Sequence, residues 1–345
     1  GIYTYHGDPK FIAENQLKIG EDIIEAKKIV VATGAVPREL NIIGSEHALS
    51  SDDFFKMEEL PKSLLFIGGG YIALEFAHIA ARSGANVTIL QRSSKLLKHF
   101  DNDIVEHLVA ATKELGVNLV MNTNATQIKK NGDSYLVVGN NNGNLKEFTT
   151  DVVFNTSGRV PAVHNLDLDK GNVRYSDKGI EVSYYMQSTT NPRVYAAGDN
   201  SATFALPITP FATMEGHIVS ANIVDGNIKK PDYGVCPTVV YTLPALAMVG
   251  ITEEQAQKEN LDITVNYRSV PHWYAAKHLG ETTYAFKVII DNKTDHILGA
   301  HIIGPNAEET FNVFAVAMQV GMKAENLKTI PFVFPSASSD IAKMV

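Results

Sequence analysis

Cysteine is nearly absent: the 345 residues hold one, Cys236. That excludes an intrachain disulfide and a Cys-x-x-Cys redox pair, and the expected compartment is the cytoplasm. Net positive charge is lacking too, with 30 Lys and Arg against 38 Asp and Glu, a formal net charge of −8. A nucleic-acid or anionic-membrane surface is therefore not expected. No apolar run approaches the ~18 residues of a membrane span, and a signal peptide is not expected. An initiator methionine is missing as well. The chain starts Gly1-Ile2-Tyr3 and runs into an extended, turn-rich stretch, so a trimmed tag or a fragment lacking its upstream part is expected. What remains is ordinary globular composition: 45% apolar, 20% charged, 25 Gly and 14 Pro. At this length about two or three domains are expected, with cores that need no metal or disulfide staple.

Residues 28–34, Lys-Ile-Val-Val-Ala-Thr-Gly, form an apolar β-branched run ending in small residues, the pattern of a buried strand whose carboxyl end allows close backbone approach. Ser50-Ser51-Asp52-Asp53 supplies caps for a helix to about Leu60, stopped by Pro61. Leu64–Ile67 is a strand, Gly68-Gly69-Gly70 a turn, Tyr71 to Ser83 a helix and Val87–Leu90 the next strand, one βαβ unit of the usual ~30 residues. A second helix, Asp103 to Leu115, puts Ile104, Leu108, Ala111 and Leu115 on one face. A β-meander with hairpin turns at Asn131-Gly132 and 140–144 follows, then strands at 152–155 and 193–197. After a polar linker at 226–232, strands near 238–242, 263–268, 284–291 and 297–303 precede a helix from about Asn306 to Met322, an α+β order.

Gly68-Gly69-Gly70-Tyr71-Ile72-Ala73 fits G-x-G-x-x-G/A between a strand and a helix. Gly68 permits the tight turn, Gly70 lets backbone reach a pyrophosphate, and Ala73 lets helix and strand pack closely. The helix N-terminus offers free N–H groups to phosphate charge. The alternative is a purely structural glycine turn. At the end of the second strand, where an acid would bind the ribose 2′-OH of NAD, stands Gln91, followed by Arg92, Lys95 and Lys98. Cations suit a 2′-phosphate, so NADPH is expected over NADH; the alternative is a solvated basic loop. Ala32-Thr33-Gly34 and the run from Thr189 to Gly198-Asp199 each end a strand in small residues, and an Asp there suits a ligand hydroxyl.

In this order, these pieces resemble the class I pyridine nucleotide-disulfide oxidoreductase family, which includes glutathione reductase, dihydrolipoamide dehydrogenase and mercuric reductase. The resemblance covers the whole chain. It implies an α/β fold: a Rossmann-like NAD(P)-binding domain inserted in a partial FAD-binding domain, followed by an α+β dimerisation domain. The implied boundaries are 1–60 and 159–228 for FAD, 61–158 for NAD(P), and 229–345 for a homodimer interface. It implies that Thr33-Gly34, Gly198-Asp199 and Thr209-Pro210 face FAD, with Asp199 on the ribityl chain. Tyr71 takes the place of the nicotinamide-gating residue, Glu75 that of the carboxylate near the flavin, and Gly158-Arg159 that of the G-R-x-P segment beside the nucleotide.

Two departures stand out. The family opens with an FAD G-x-G-x-x-G unit and a C-x4-C pair, and this chain has neither; about 100 upstream residues are expected by analogy. Where disulfide reductases carry H-P-T-x-S-E, this chain has Phe334-Pro335-Ser336-Ala337-Ser338-Ser339-Asp340. Phe cannot transfer a proton, and Asp340 is a displaced substitute. That ending, with Val270-Pro271-His272-Trp273-Tyr274, resembles a bacterial subfamily linked to reactive-chlorine resistance, whose members reduce oxidants or metal ions such as Cu(II). Cys236 is expected to be inert, and His272 with His278 to be packing or surface residues rather than a metal pair. The helix at 311–322 is apolar almost all round, which suits a dimer face that includes Phe314; the alternative is a two-sided monomer core. The expected activity is hydride transfer from NADPH to FAD and on to a small-molecule acceptor: a disulfide, an oxidant or a metal ion. The rival is a truncated, non-catalytic NADPH-binding and dimerisation fragment.

Overall fold

A computed structural model describes all 345 residues. The chain forms two compact units, one from Gly1–Arg38 with Arg159–Tyr233, the other from Glu39–Gly158 with Gly234–Val345.

In the first unit, three short strands, Lys10–Ala13, Gln16–Ile19 and Asp22–Glu25, make an antiparallel sheet. The strand Ile29–Val31 pairs in parallel with Val194–Ala196, Ile29 opposite Val194. Alternation along this pair sorts its side chains by face. Ile29, Val31, Val194 and Ala196 join Phe11 and Ile180 in one core, while Tyr195 and Ala197 join Ile218 and Val219 in another. Those last two belong to the helix Thr209–Asp225, which has Pro210 in its first turn, where its missing N–H costs nothing. Ala35–Pro37 and Arg159–Pro161 pair antiparallel, so the chain leaves this unit and re-enters it through adjacent strands.

In the second unit, a parallel sheet runs Val152–Asn155, Ser63–Ile67, Asn86–Leu90, Asn118–Val120. The helix Tyr71–Arg82 crosses over between the second and third of these, and Asn102–Glu114 between the third and fourth. Its meander, Asn124–Asn131, Ser134–Asn141 and Asn144–Thr150, turns at Asn142 (φ 49°) and Gly143 (φ 93°), the paired positive φ of a type I′ hairpin. The remaining five-stranded antiparallel sheet runs Thr238–Val240, Ala245–Gly250, Ile297–Gly304, Ala285–Asp291, Ile263–Ser269. One face of it shares a core with the nucleotide-type fold: Val240, Leu246, Ala285 and Ile303 cluster with Leu64, Phe66, Ala77 and Leu108. Its other face is covered by the helix Ala307–Gln319 through the fully buried Phe311 and Phe314.

Two expectations need correction, and two elements are additional. The helix at 51–60 is one turn, Ser51–Phe54: Phe54 stacks on Phe76 and Met57 packs on the same core, but Phe55, Lys56 and Glu58 to Leu60 are exposed and hold no further turn in place. The strand Ala245–Gly250 and the helix Thr209–Asp225 were not anticipated. Phe314 is core rather than dimer surface; the exposed apolar residues of that region are Val316 and Val320, 62% and 65% exposed.

Candidate functional site

The three glycines after Ser63–Ile67 differ in what fixes them. Gly68 has φ 105°, and a Cβ on it would lie 2.6 Å from the Thr156 carbonyl oxygen. A Cβ on Gly69 would lie 2.4 Å from Leu96 Cδ2. Gly70, the N-cap of Tyr71–Arg82, has φ −82°, and the nearest atom to its Cβ position is 4.0 Å away. The fold therefore requires glycine at 68, a Cβ at 69 would have to displace the tip of Leu96, and nothing within the protein requires glycine at 70. The space in front of Gly70 stays clear at a helix N-terminus, which is the cradle that a pyrophosphate needs. Ala73, fully buried, packs the helix against the sheet.

Gln91 follows Asn86–Leu90 and is half-buried. Its Oε1 accepts the Gly69 N–H at 3.1 Å, and its Nε2 donates to Ser93 Oγ at 2.6 Å and to the Lys95 carbonyl at 3.0 Å. Arg92 and Lys95 are exposed, and their cationic groups make no ion pair or hydrogen bond within the protein. Lys98 is also exposed and borders a depression of about 350 Å³ with Asp101, Asp103, Glu253 and Lys287.

Tyr71 and Glu75, one turn apart, lie on the same helix face. Tyr71 is 47% exposed, and Glu75 Oε1 accepts the Tyr241 N–H at 2.8 Å. Burial pushes the Glu75 carboxyl above its ordinary range, and that hydrogen bond only partly offsets the shift.

In the first unit a cavity of about 430 Å³ is lined by Ala35, Arg159, Gly198, Asp199, Phe211 and Glu215, among others. The Asp199 carboxylate faces it without a hydrogen bond or ion pair from the protein, so its acceptors are free for ligand hydroxyls. Arg159 donates to the Ala35 carbonyl, just after Gly158 (φ 127°). Thr33 Oγ1 donates to the Ala162 carbonyl at 2.7 Å, and Gly34 takes φ 67°. Thr209 is exposed at the first turn of its helix, next to the cavity-lining Ile208.

Glu215 was missed from the sequence. Its buried carboxylate gathers the Gly198 N–H (2.7 Å), Ser201 Oγ (3.3 Å), Thr203 Oγ1 (3.2 Å) and Tyr233 Oη (2.6 Å), so it shapes the turn that carries Asp199. Those partners are 12 to 18 residues away in sequence, and no spacing rule links them.

The remaining candidates are scattered. The Cys236 thiol is half-buried, 3.8 Å from Thr238 Oγ1, and burial raises its pKa. His278 is exposed and stacks on Tyr274, which in turn packs against Phe334, 70% exposed. Asp340 is buried beneath Tyr284 and Lys343 rather than presented to solvent. No group of three or more His, Cys, Asp or Glu side chains is placed to hold a metal, and no helix is long and apolar enough to cross a membrane.

Residues 1–216 match the family model of the pyridine nucleotide-disulphide oxidoreductases, and residues 236–345 match the model of their dimerisation domain. A mercuric reductase of Bacillus cereus is 31% identical over 331 residues, 95% of this chain and 52% of that protein. A glutathione reductase of Nostoc sp. is 28% identical over 360 residues, covering 100% of this chain and 77% of the relative. A Cu(II) complex of the HOCl-induced flavoprotein disulfide reductase RclA from Escherichia coli superposes with a TM-score of 0.90 at 28% identity, covering 98% and 78% of the two chains. The chain spans 52% to 60% of the length of three mercuric reductases that it matches.

Proposed function

The chain belongs to the pyridine nucleotide-disulphide oxidoreductase family, and on that premise we propose that it binds NADPH and FAD as part of a flavoprotein reductase. Residues 61–158 are assigned to the NAD(P) domain, 1–60 and 159–228 to the FAD domain, and 229–345 to homodimerisation. The observation that carries the reading is the clear space before Gly70, a glycine that the fold itself does not need. When bound, the two cofactors supply hydride donation by NADPH and its onward passage through FAD to a small-molecule acceptor.

The chain's own residues bind and orient. Gly68, Gly70 and Ala73 shape the pyrophosphate cradle, with the helix N-terminus supplying partial positive charge. Arg92 and Lys98 hold the 2′-phosphate, with Gly158 and Arg159 beside the nucleotide. Asp199 accepts from the flavin's ribityl hydroxyls, supported by Thr33, Gly34, Gly198 and Thr209. Tyr71 gates the nicotinamide. Glu75 is the redox-site carboxylate, and its raised pKa keeps a proton on it to higher pH than an exposed glutamate would. The acceptor class is a disulfide, an oxidant or a metal ion. The mercuric and Cu(II) names among the similar proteins favour the metal ion, as does the exposed Phe334, which can move no proton to a thiol.

A second reading, nucleotide binding without turnover, rests on the single cysteine among these residues. Stoichiometric flavin in the purified chain counts against it. For the principal reading the test is a calorimetric titration with NADPH and NADH. Arg92→Glu is expected to weaken NADPH by about tenfold or more and NADH by less than about threefold. Equal loss for both nucleotides overturns the 2′-phosphate assignment.

A further inference from the structure

Gln91 stands where an acid would select NAD, yet its amide is committed inside the protein. Oε1 accepts from Gly69, at the centre of the glycine turn; Nε2 donates to Ser93 Oγ and to the Lys95 carbonyl, and Ser93 Oγ also donates to that carbonyl at 2.9 Å. The network fixes the amide's orientation, since the reverse would set its NH2 against the Gly69 N–H. Around it the backbone is pinned: the Gln91 N–H to Val120, the Thr123 N–H to Gln91 and the Asn122 N–H to Ser93, with Leu96 buried beneath Gly69. What this frame leaves outside is Arg92, Ser94 and Lys95, and no acid occurs from 91 to 100.

We propose that Gln91 is a specificity-determining positioning residue: a two-sided strut that holds the basic loop in register with the glycine turn, so that the Arg92 and Lys95 charges join Lys98 at the 2′-phosphate of a nucleotide whose pyrophosphate lies on Gly70. This rests on the NADPH reading above. Glutamine does here what neither glutamate nor an apolar residue can. A glutamate would accept from Gly69 but turn its second oxygen against the Lys95 carbonyl, and an apolar side chain would bridge nothing. The glycine turn serves NADPH and NADH alike, whereas the loop touches only the phosphorylated ribose. Losing the strut therefore changes the preference between them, which a general loosening of the turn does not.

The experiment measures dissociation constants of the purified chain for NADPH and NADH by nicotinamide fluorescence at 50 and 500 mM salt. In Gln91→Met the NADH-to-NADPH ratio of dissociation constants is expected to fall about tenfold at both salt concentrations. In Gln91→Glu it falls further, and the additional part shrinks at high salt because it is charge repulsion. Should Gln91→Met fold poorly by thermal melt, Ser93→Ala, which removes one of the two bonds from Nε2, is expected to lower the ratio about threefold. A parallel rise of both constants, or no change in any variant, overturns the strut while leaving the NADPH assignment intact. Wild-type protein with no preference for NADPH overturns both.

Discussion

Gly68 and Gly70 sit two residues apart and are glycines for opposite reasons. At Gly68 a methyl group meets backbone at 2.6 Å in a left-handed conformation, so Gly68→Ala is expected to cost about 2–4 kcal/mol of stability. At Gly70 the same methyl enters open space, so Gly70→Ala should melt within about 2 °C of wild type yet bind NADPH at least about tenfold more weakly. Scanning calorimetry with nucleotide titration checks the pair, and a Gly70 variant that binds normally removes the pyrophosphate from that place. His78 makes a second residue-scale prediction. Its Nε2 lies 2.9 Å from Thr112 Oγ1, and its Nδ1 lies 3.2 Å from the Leu243 carbonyl oxygen and 3.3 Å from the Leu243 nitrogen. Burial, then the nearby Arg82, push its pKa down to about 4 from 6.5. Between those values the unfolded chain takes up a proton that the folded one refuses, so stability falls as pH drops through that window. His78→Leu should lose about 2 kcal/mol less than wild type between pH 7 and 4.5, read from urea midpoints. The glycines were legible because their spacing is local, whereas the work of Gln91 was not, because its partner Gly69 lies 22 residues away and the motif tells only what an acid there would do.

Among elements, the strand Ala285–Asp291 carries an unusual burden. Lys287, 2% exposed, reaches Asp101 at 2.9 Å and Asp103 and Glu253 at 2.6 Å each. Burial alone would lower its pKa, but the three carboxylates together lift it above the ordinary lysine range. Asp101 caps the helix Asn102–Glu114 and Glu253 opens Glu253–Lys258, so one ammonium ties two helix starts to the sheet. Lys287→Met leaves the buried Asp101 without its cation and is expected to cost about 3–5 kcal/mol, with part recovered by adding Asp101→Asn. Urea unfolding measures both, and a cost below about 1 kcal/mol would show that Asp101 finds water instead. The parallel sheet and the helix Tyr71–Arg82 could be read from sequence because apolar runs and a one-sided helix match their burial. Thr209–Asp225 could not, because its inward face includes Glu215 and Asn222, polar residues that bind loop backbone and erase the apolar stripe. Ala245–Gly250 was hidden by its small residues and by the proline just before it.

For the whole molecule, the proposed homodimer makes a prediction that the buried position of Phe314 redirects. Val316 and Val320 are the exposed apolar pair at the helix Ala307–Gln319 and its C-cap, so aspartate at both should shift sedimentation toward monomer while leaving the melting temperature of the monomer fold in place. Phe314→Asp should instead unfold the domain, because a charge would replace a fully buried ring. An unaltered sedimentation profile for the valine variants moves the interface elsewhere. The split course of the first unit has a consequence for synthesis. Ile29 pairs with Val194, 165 residues later, so the earlier strand leaves the ribosome with an open edge and waits for its partner. At about 5–20 residues per second that wait lasts on the order of 10–30 s, long enough for the intervening glycine-turn sheet to form first. A ribosome stalled before residue 190 would then hold a nascent chain with a protease-resistant segment near 60–158 while residues 28–34 are still digestible, so the inserted segment matures before the strand pair that frames it.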